Sequence, residues 1–202
     1  MEILKYVIVA VVGYILGSVS ISIILSKLAM GSDIREKGSG NAGATNMARN
    51  FGMKAGFVTL GGDMLKAIIA MALGWLLLGR DMGVMVGGLA AMIGHCFPIF
   101  YKFKGGKGVS VLAAIAIMID WRVTAIGLAM FLIVAFATKK VSAGSITAAV
   151  TVPVCTALFN LGTPMLILAI VGGVTVIIQH RANIGRLIRG EEPDFKPAHK
   201  DK

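Results

Sequence analysis

Charge is scarce in this chain. Only 15% of its 202 residues are Asp, Glu, Lys or Arg, while 56% are apolar. A soluble domain holds about 45–50% apolar residues even with Gly counted. The mean hydropathy of +0.83 therefore excludes an ordinary water-soluble fold and predicts apolar helices of about 20 residues. Cysteine is scarcer still. Cys96 and Cys155 stand far apart in apolar surroundings, which excludes a disulfide framework and leaves two unpaired thiols. No internal repeat is visible. A cleavable leader is not expected either. The only early base is Lys5, beside Glu2, and the apolar run passes Ser18-Val-Ser20 to reach Leu25, so the segment reads as a span.

What is present is a series of apolar segments, roughly 3–26, 57–79, 82–99, 108–120, 122–138, 144–160 and 163–179. They predict an all-α integral membrane protein of seven transmembrane helices, a single domain over 1–202 with a tail from about residue 180. Lys and Arg mark the cytoplasmic loops. In a seven-span arrangement every Lys and Arg falls on one side except Lys5, Arg80 and Arg122, with Lys66 inside a span. The N-terminus is thus expected outside and the C-terminus in the cytoplasm. The fourth segment, Gly108 to Asp120, is too short for a hydrocarbon core of about 30 Å. Either the bilayer thins there or the preceding loop dips inward, shielded by protein.

Three polar clusters fall on the predicted cytoplasmic side. The richest is Gly94-His-Cys-Phe-Pro-Ile-Phe-Tyr-Lys-Phe-Lys-Gly-Gly-Lys-Gly108. Its glycines let backbone N–H groups approach an anion, Lys102, Lys104 and Lys107 add compact positive charge, and the helix opening near Val109 favours an anion at its N-terminus. The pattern is that of a phosphate site at a membrane surface. The first cluster, Gly38 to Arg49, reads as a loop and a short helix capped by Asn41, with Ser39, Gly40, Asn41 and Gly43 as an anion nest and Arg49 as a fork for phosphate. The third runs Gln179-His-Arg-Ala-Asn-Ile-Gly-Arg-Leu-Ile-Arg-Gly-Glu191. If the last helix continues outward, His180 and Asn183 share a face with Arg186 and Arg189 following; a surface helix on anionic lipid headgroups is the other reading. His95 is either a structural hydrogen bonder or a site residue. Asp63 and Lys66, three apart within the second span, are either a structural ion pair or support for the site.

The stretches GSGNAGATNMAR, GHCFPIFYKFKGGKGV and HRANIGRLIRGEE resemble, in order and spacing, the three cytoplasmic motifs of the PlsY family, bacterial acyl-phosphate:glycerol-3-phosphate acyltransferases. Two stretches stand apart from that pattern. The link Lys139-Lys-Val-Ser-Ala-Gly-Ser145 departs from a more leucine-like Ser-Leu-x-Ser, and the tail past Glu192 reads as a variable end; both lie outside the three motifs.

The resemblance implies a multi-pass enzyme of the bacterial cytoplasmic (inner) membrane. It would move a fatty acyl group from acyl phosphate to the 1-hydroxyl of sn-glycerol 3-phosphate, giving lysophosphatidic acid and phosphate as the first step of phospholipid synthesis. Partners are the two substrates, membrane lipid and the enzyme that makes acyl phosphate; no nucleic acid, metal or cofactor is expected. The His-x4-Asp signature of soluble-type acyltransferases is absent, since Phe100 and Gly185 stand five residues after His95 and His180. Direct attack of the glycerol hydroxyl, without an acyl-enzyme, is expected. Lys104, Lys107, His180 and Asn183 are the candidate catalytic residues. Ser39, Gly40, Asn41, Gly43, Thr45, Asn46 and Arg49 are assigned to acyl phosphate, and His95, Gly105, Gly106, Lys107, Gly108, Arg181 and Arg186 to glycerol 3-phosphate. Which motif holds which phosphate stays open, as does the base, His180 or a substrate phosphate. Arg181 and the neighbouring lysines are expected to disfavour imidazolium at His180. A transporter of a phosphorylated metabolite is the alternative, though it would need polar residues through the whole depth.

Overall fold

The computed structural model describes residues 2–198, and among them helices are the only regular elements, with no strand. Nine α-helices follow in order: α1 (Glu2–Ser18), α2 (Ile21–Met30), α3 (Ala44–Leu78), α4 (Arg80–Cys96), α5 (Val109–Ile119), α6 (Trp121–Thr138), α7 (Val141–Leu158), α8 (Thr163–Gln179) and α9 (Arg181–Ile188). The turns are set by local chemistry. Gly31 closes α2 in the left-handed region and returns its N–H to the Ser26 carbonyl. The Asp120 carboxylate caps α6 by accepting from the Arg122 amide, which satisfies an N–H the first turn would leave orphaned.

Five stretches among the described residues are long and apolar enough to span a bilayer: α1 with α2, then α3, α4, α6 and α7. A sixth exists if α8 and α9, bent by 60° at His180, count as one. The expected seven is not reached, because the 11 residues of α5 rise only about 16 Å. Instead α5 is a core helix. Seven of its eleven residues are buried, and it packs on α3, α4, α6, α7 and α8. The main apolar core gathers around it, with Val84, Met92, Val111, Ile115, Leu168 and Val176. Outward faces are apolar too: Leu76, Ile133, Phe136 and Leu158 are exposed, as suits contact with lipid.

Two details position the polar end. Helices α1 and α4 approach closely because Gly17 and Gly94 carry no Cβ; one there would strike the Ala91 and Tyr14 carbonyls. Such small-residue contacts are how membrane helices pack, and this one fixes His95, beside Gly94, against the break between α1 and α2. The second detail is Gly52. The predicted loop to residue 56 is mostly helix, continuous with α3 except at Gly52, whose φ of 84° and ψ of 169° only glycine adopts without strain. The kink swings the first two turns of α3 over the bundle's polar end. At the other end Arg80 donates to the Ile119 carbonyl and Arg122 stacks on Phe159.

Candidate active site

Helices of one direction in a bundle begin at the same end, and here three of them begin at one cavity. The pocket, about 200 Å3, is lined by Gly43, Ala44 and Thr45 from the start of α3, by Val109 and Ser110 from the start of α5, and by Val141, Ser142 and Ser145 from the start of α7. Each start brings unpaired N–H groups and the positive end of a helix dipole. Arg49, Lys107 and Arg186 line the same cavity. Such a surface is built for anions.

One acid organises the cations. Glu192, 5% exposed, accepts from Ser142 Oγ at 2.6 Å, from Asn183 Nδ2 at 2.6 Å and from Arg186 Nε at 2.7 Å. Asn183 in turn accepts from Lys107 Nζ through Oδ1. Burial pushes the Glu192 carboxyl up, but those three donors outweigh it and hold it below its ordinary value of 4.5. Lys107 is pulled down from its ordinary value, first by burial and then by Arg186 and Arg49, against the opposing pull of Glu192.

His180 sits at the bend between α8 and α9, so the last helix does not run on straight as expected. Its Nδ1 lies 2.8 Å from the Val176 carbonyl. A carbonyl only accepts, so Nδ1 carries the proton and Nε2 keeps a free lone pair. Burial lowers the ring's pKa from 6.5 to about 4; the Lys107 charge adds to this, while the Val176 hydrogen bond and Glu192 oppose it. The neutral ring was expected, but its cause is burial and Lys107 rather than Arg181, which is exposed and turned to Ile178 and Gln179. His95, 6% exposed, also lines the pocket.

The remaining expected residues divide. Ser39, Asn41, Gly43, Thr45, Asn46 and Arg49 border the pocket, but the cap of α3 is Gly43 rather than Asn41. Asn46 is occupied as a tie: its amide donates to the Ile34, Lys37 and Asn41 carbonyls and accepts from the Ser39 N–H. The Gly105 and Gly106 amides are spent on the Cys96 and His95 carbonyls, so these glycines dock the loop on α4 rather than offering donors to an anion. Gly108 is the left-handed cap of α5, with φ of 84°. Gly40 and Lys104 are exposed and lie outside the pocket wall.

The tail folds back onto the motif-bearing segments. Glu192 enters the pocket, Arg49 Nη2 donates to the Pro193 and Asp194 carbonyls, Phe195 N–H bonds Lys139 and Ala198 N–H bonds Ala48. The Ala48 carbonyl is free because its helical partner would be the Gly52 amide, at the kink. Ser142 and Ser145 were missed as site residues. Their signal was present: two hydroxyls three apart in the first turn after Lys139-Lys140. Glu192 was missed as a site residue although it ends the stretch HRANIGRLIRGEE that carries the resemblance.

A family model described as glycerol-3-phosphate acyltransferase matches residues 7–190. The chain belongs to that acyltransferase family. The acyltransferase is 39% identical to a glycerol-3-phosphate acyltransferase of Thermoanaerobacter pseudethanolicus, over 92% of this chain and 93% of that one. It is 40% identical to one of Bacillus subtilis, over 92% and 95%. Its fold matches the crystal structure of PlsY, an integral membrane glycerol 3-phosphate acyltransferase, in the glycerol 3-phosphate form, with a TM-score of 0.90 and 33% identity over 95% of this chain and 96% of that one. The lysophosphatidic acid form matches with a TM-score of 0.87 and 31% identity over 95% of each. The transporter alternative finds no support in these likenesses.

Proposed function

We propose that the acyltransferase moves a fatty acyl group from acyl phosphate to the 1-hydroxyl of sn-glycerol 3-phosphate, releasing lysophosphatidic acid and inorganic phosphate. One observation carries this reading: the polar pocket runs into an apolar groove. Ala44, Thr45, Leu60, Phe131 and Val141 border both. The groove, about 780 Å3, lies between α3 and α6 and is walled by Met53, Phe57, Leu132, Ala135 and Phe136, of which Phe57 and Phe136 are exposed on the lipid-facing surface. Phosphate chemistry beside an acyl-sized apolar groove suits a donor whose head is phosphate and whose tail is fatty.

The acyl phosphate group is assigned to the α3 start with Arg49, and glycerol 3-phosphate to Lys107, His180 and Asn183. The glycerol hydroxyl attacks the acyl carbon, the acyl–oxygen bond to phosphate breaks, and the hydroxyl proton passes to the departing phosphate. His180 Nε2 accepts a hydrogen bond from the hydroxyl and aims it. Fixed N–H dipoles and Lys107 stabilise the charge that grows on the leaving group, which is where such sites gain most. No protein nucleophile is required, because the donor is already activated.

In the same proposal α5 serves as a seventh, short span, and the N-terminus lies outside. The distribution of Lys and Arg supports that orientation. The test is direct: purified protein, acyl phosphate and glycerol 3-phosphate, with phosphate release and lysophosphatidic acid measured. Lysophosphatidic acid is expected to form from acyl phosphate and not from acyl-CoA; robust transfer from acyl-CoA alone overturns the donor assignment.

A further inference from the structure

Three ionisable side chains are buried together beneath the pocket, and the reaction as written above uses none of them. Asp63 and Lys66, one turn apart on α3, form an ion pair at 2.7 Å, with Asp63 1% and Lys66 6% exposed. Lys66 also donates to the Val19 carbonyl, freed at the break between α1 and α2. His95 of α4 brings its Nδ1 to 3.8 Å from Asp63 Oδ1. On its far side the ring meets Gly106: a Cβ there would collide with His95 Nε2, and the Gly106 N–H donates to the His95 carbonyl. The imidazole is therefore held between a carboxylate and a glycine of the lysine loop, at the pocket wall.

A buried ion pair gains little stability over apolar residues of the same size. At membrane depth such residues are usually functional. A pair needed only to tie α3 to α1 would not require an imidazole on the carboxylate's other side. At 3.8 Å the contact is an ion-pair distance rather than a hydrogen bond, and contacts of this type are commonly long before substrate binds and tighten afterwards.

We propose that Asp63 is a positioning residue for the acceptor half of the reaction, acting through His95. When glycerol 3-phosphate binds, the His95 Nδ1–H closes on Asp63, which fixes the tautomer and leaves an unprotonated Nε2 at the pocket wall, beside Gly106. Lys66 supplies the counter-charge and anchors the carboxylate to the Val19 carbonyl. The two imidazoles of the site are then set alike, each by an acceptor on Nδ1: a carbonyl for His180 and a carboxylate for His95. This inference rests on the assignment of His95 to the acceptor.

A double-mutant cycle tests it. Asp63→Asn combined with Lys66→Met removes both charges without stranding either. This variant is expected to keep its melting temperature within a few degrees. It is expected to lose roughly tenfold to a hundredfold in kcat/KM for glycerol 3-phosphate, the size of a lost hydrogen bond to a charged group, with the KM for the acyl donor unchanged. Placed on His95→Asn, the same pair should cost nothing further, since a residue acting through His95 has nothing left to act on. Additive losses in the His95→Asn background, or a neutral pair within twofold of the parent, overturn the proposal. Should the neutral pair fail to fold, Asp63→Glu, which keeps the ion pair and displaces the carboxylate by one methylene, carries the same cycle. Parent protein inactive with acyl phosphate would refute the donor assignment alone. The cycle is then read by glycerol 3-phosphate affinity in calorimetry, where non-additive losses support the role of Asp63 and additive ones refute it.

Discussion

At Glu192 one carboxylate accepts from side chains of α7 and α9, and through Asn183 it reaches Lys107. Removing it strands Arg186 in a half-buried cluster of cations. Glu192→Ala is expected to cost about 1–3 kcal/mol, the size of a lost charge-assisted hydrogen bond with the Arg186 partner partly screened by solvent, read as a lower thermal midpoint in detergent together with lost turnover. The two lysines of the loop separate on geometry. Lys107 lines the pocket and bonds Asn183, whereas Lys104 is exposed. Lys107→Ala is expected to lose tenfold to over a hundredfold in turnover, from about 1.5–3 kcal/mol for a charge-assisted contact. Lys104→Ala should stay within a few-fold; equal losses in the two variants would place the anion elsewhere. His180 sets a pH dependence. Its folded pKa of about 4 lies below the free value of 6.5, so the ring stays neutral as pH falls through 6.5 and charges only near 4. A hydrogen bond accepted at Nε2 therefore survives to that point. The acid limb of kcat/KM due to this group should fall near pH 4 rather than 6.5, and it should vanish in His180→Asn.

The element that does most with least sequence signal is the kink in α3. Gly52 frees the Ala48 carbonyl, the Ala198 amide takes it, and the first two turns of α3 carry Thr45 and Arg49 over the cavity. Gly52→Ala must adopt a backbone that side chains resist, at a cost on the order of 1–3 kcal/mol. The expected outcome is a lower melting temperature and a higher KM for the acyl donor, with KM for glycerol 3-phosphate less affected. Hydropathy made the long helices legible, because burial in lipid demands runs of apolar residues whatever the fold. The three polar motifs were legible as site walls for a similar reason: Gly, Asn and Lys gathered between apolar segments have little other use. The kink and the course of the tail were not legible. One glycine among 26 carries no mark of its φ, and Glu192 finds its place through partners 50 residues away at Ser142 and 85 away at Lys107, by way of Asn183. Gly105 and Gly106 misled for the same reason, since the sequence does not say whether a glycine amide meets an anion or a helix carbonyl.

At the scale of the molecule the bases gather at the end where α3, α5 and α7 begin, and the opposite end holds Arg80 and Arg122. Cys96 and Cys155 are buried, so single introduced cysteines report cleanly on sidedness. Labelling of intact cells with an impermeant reagent should reach Trp121→Cys, at the far end and exposed, and should miss Lys104→Cys. The reverse pattern would invert the orientation. The same arrangement has a consequence in time. The pocket wall runs from Ser39 to Glu192, so it joins parts of the chain made far apart. At roughly 5–20 residues per second, the ribosome takes roughly seven to thirty seconds between Arg49 and Glu192. Through that interval the cations arrive piecemeal, Lys107 midway and Arg186 only six residues ahead of the acid that balances it. The wall of the site is therefore closed only near the end of synthesis, when α9 and Glu192 emerge.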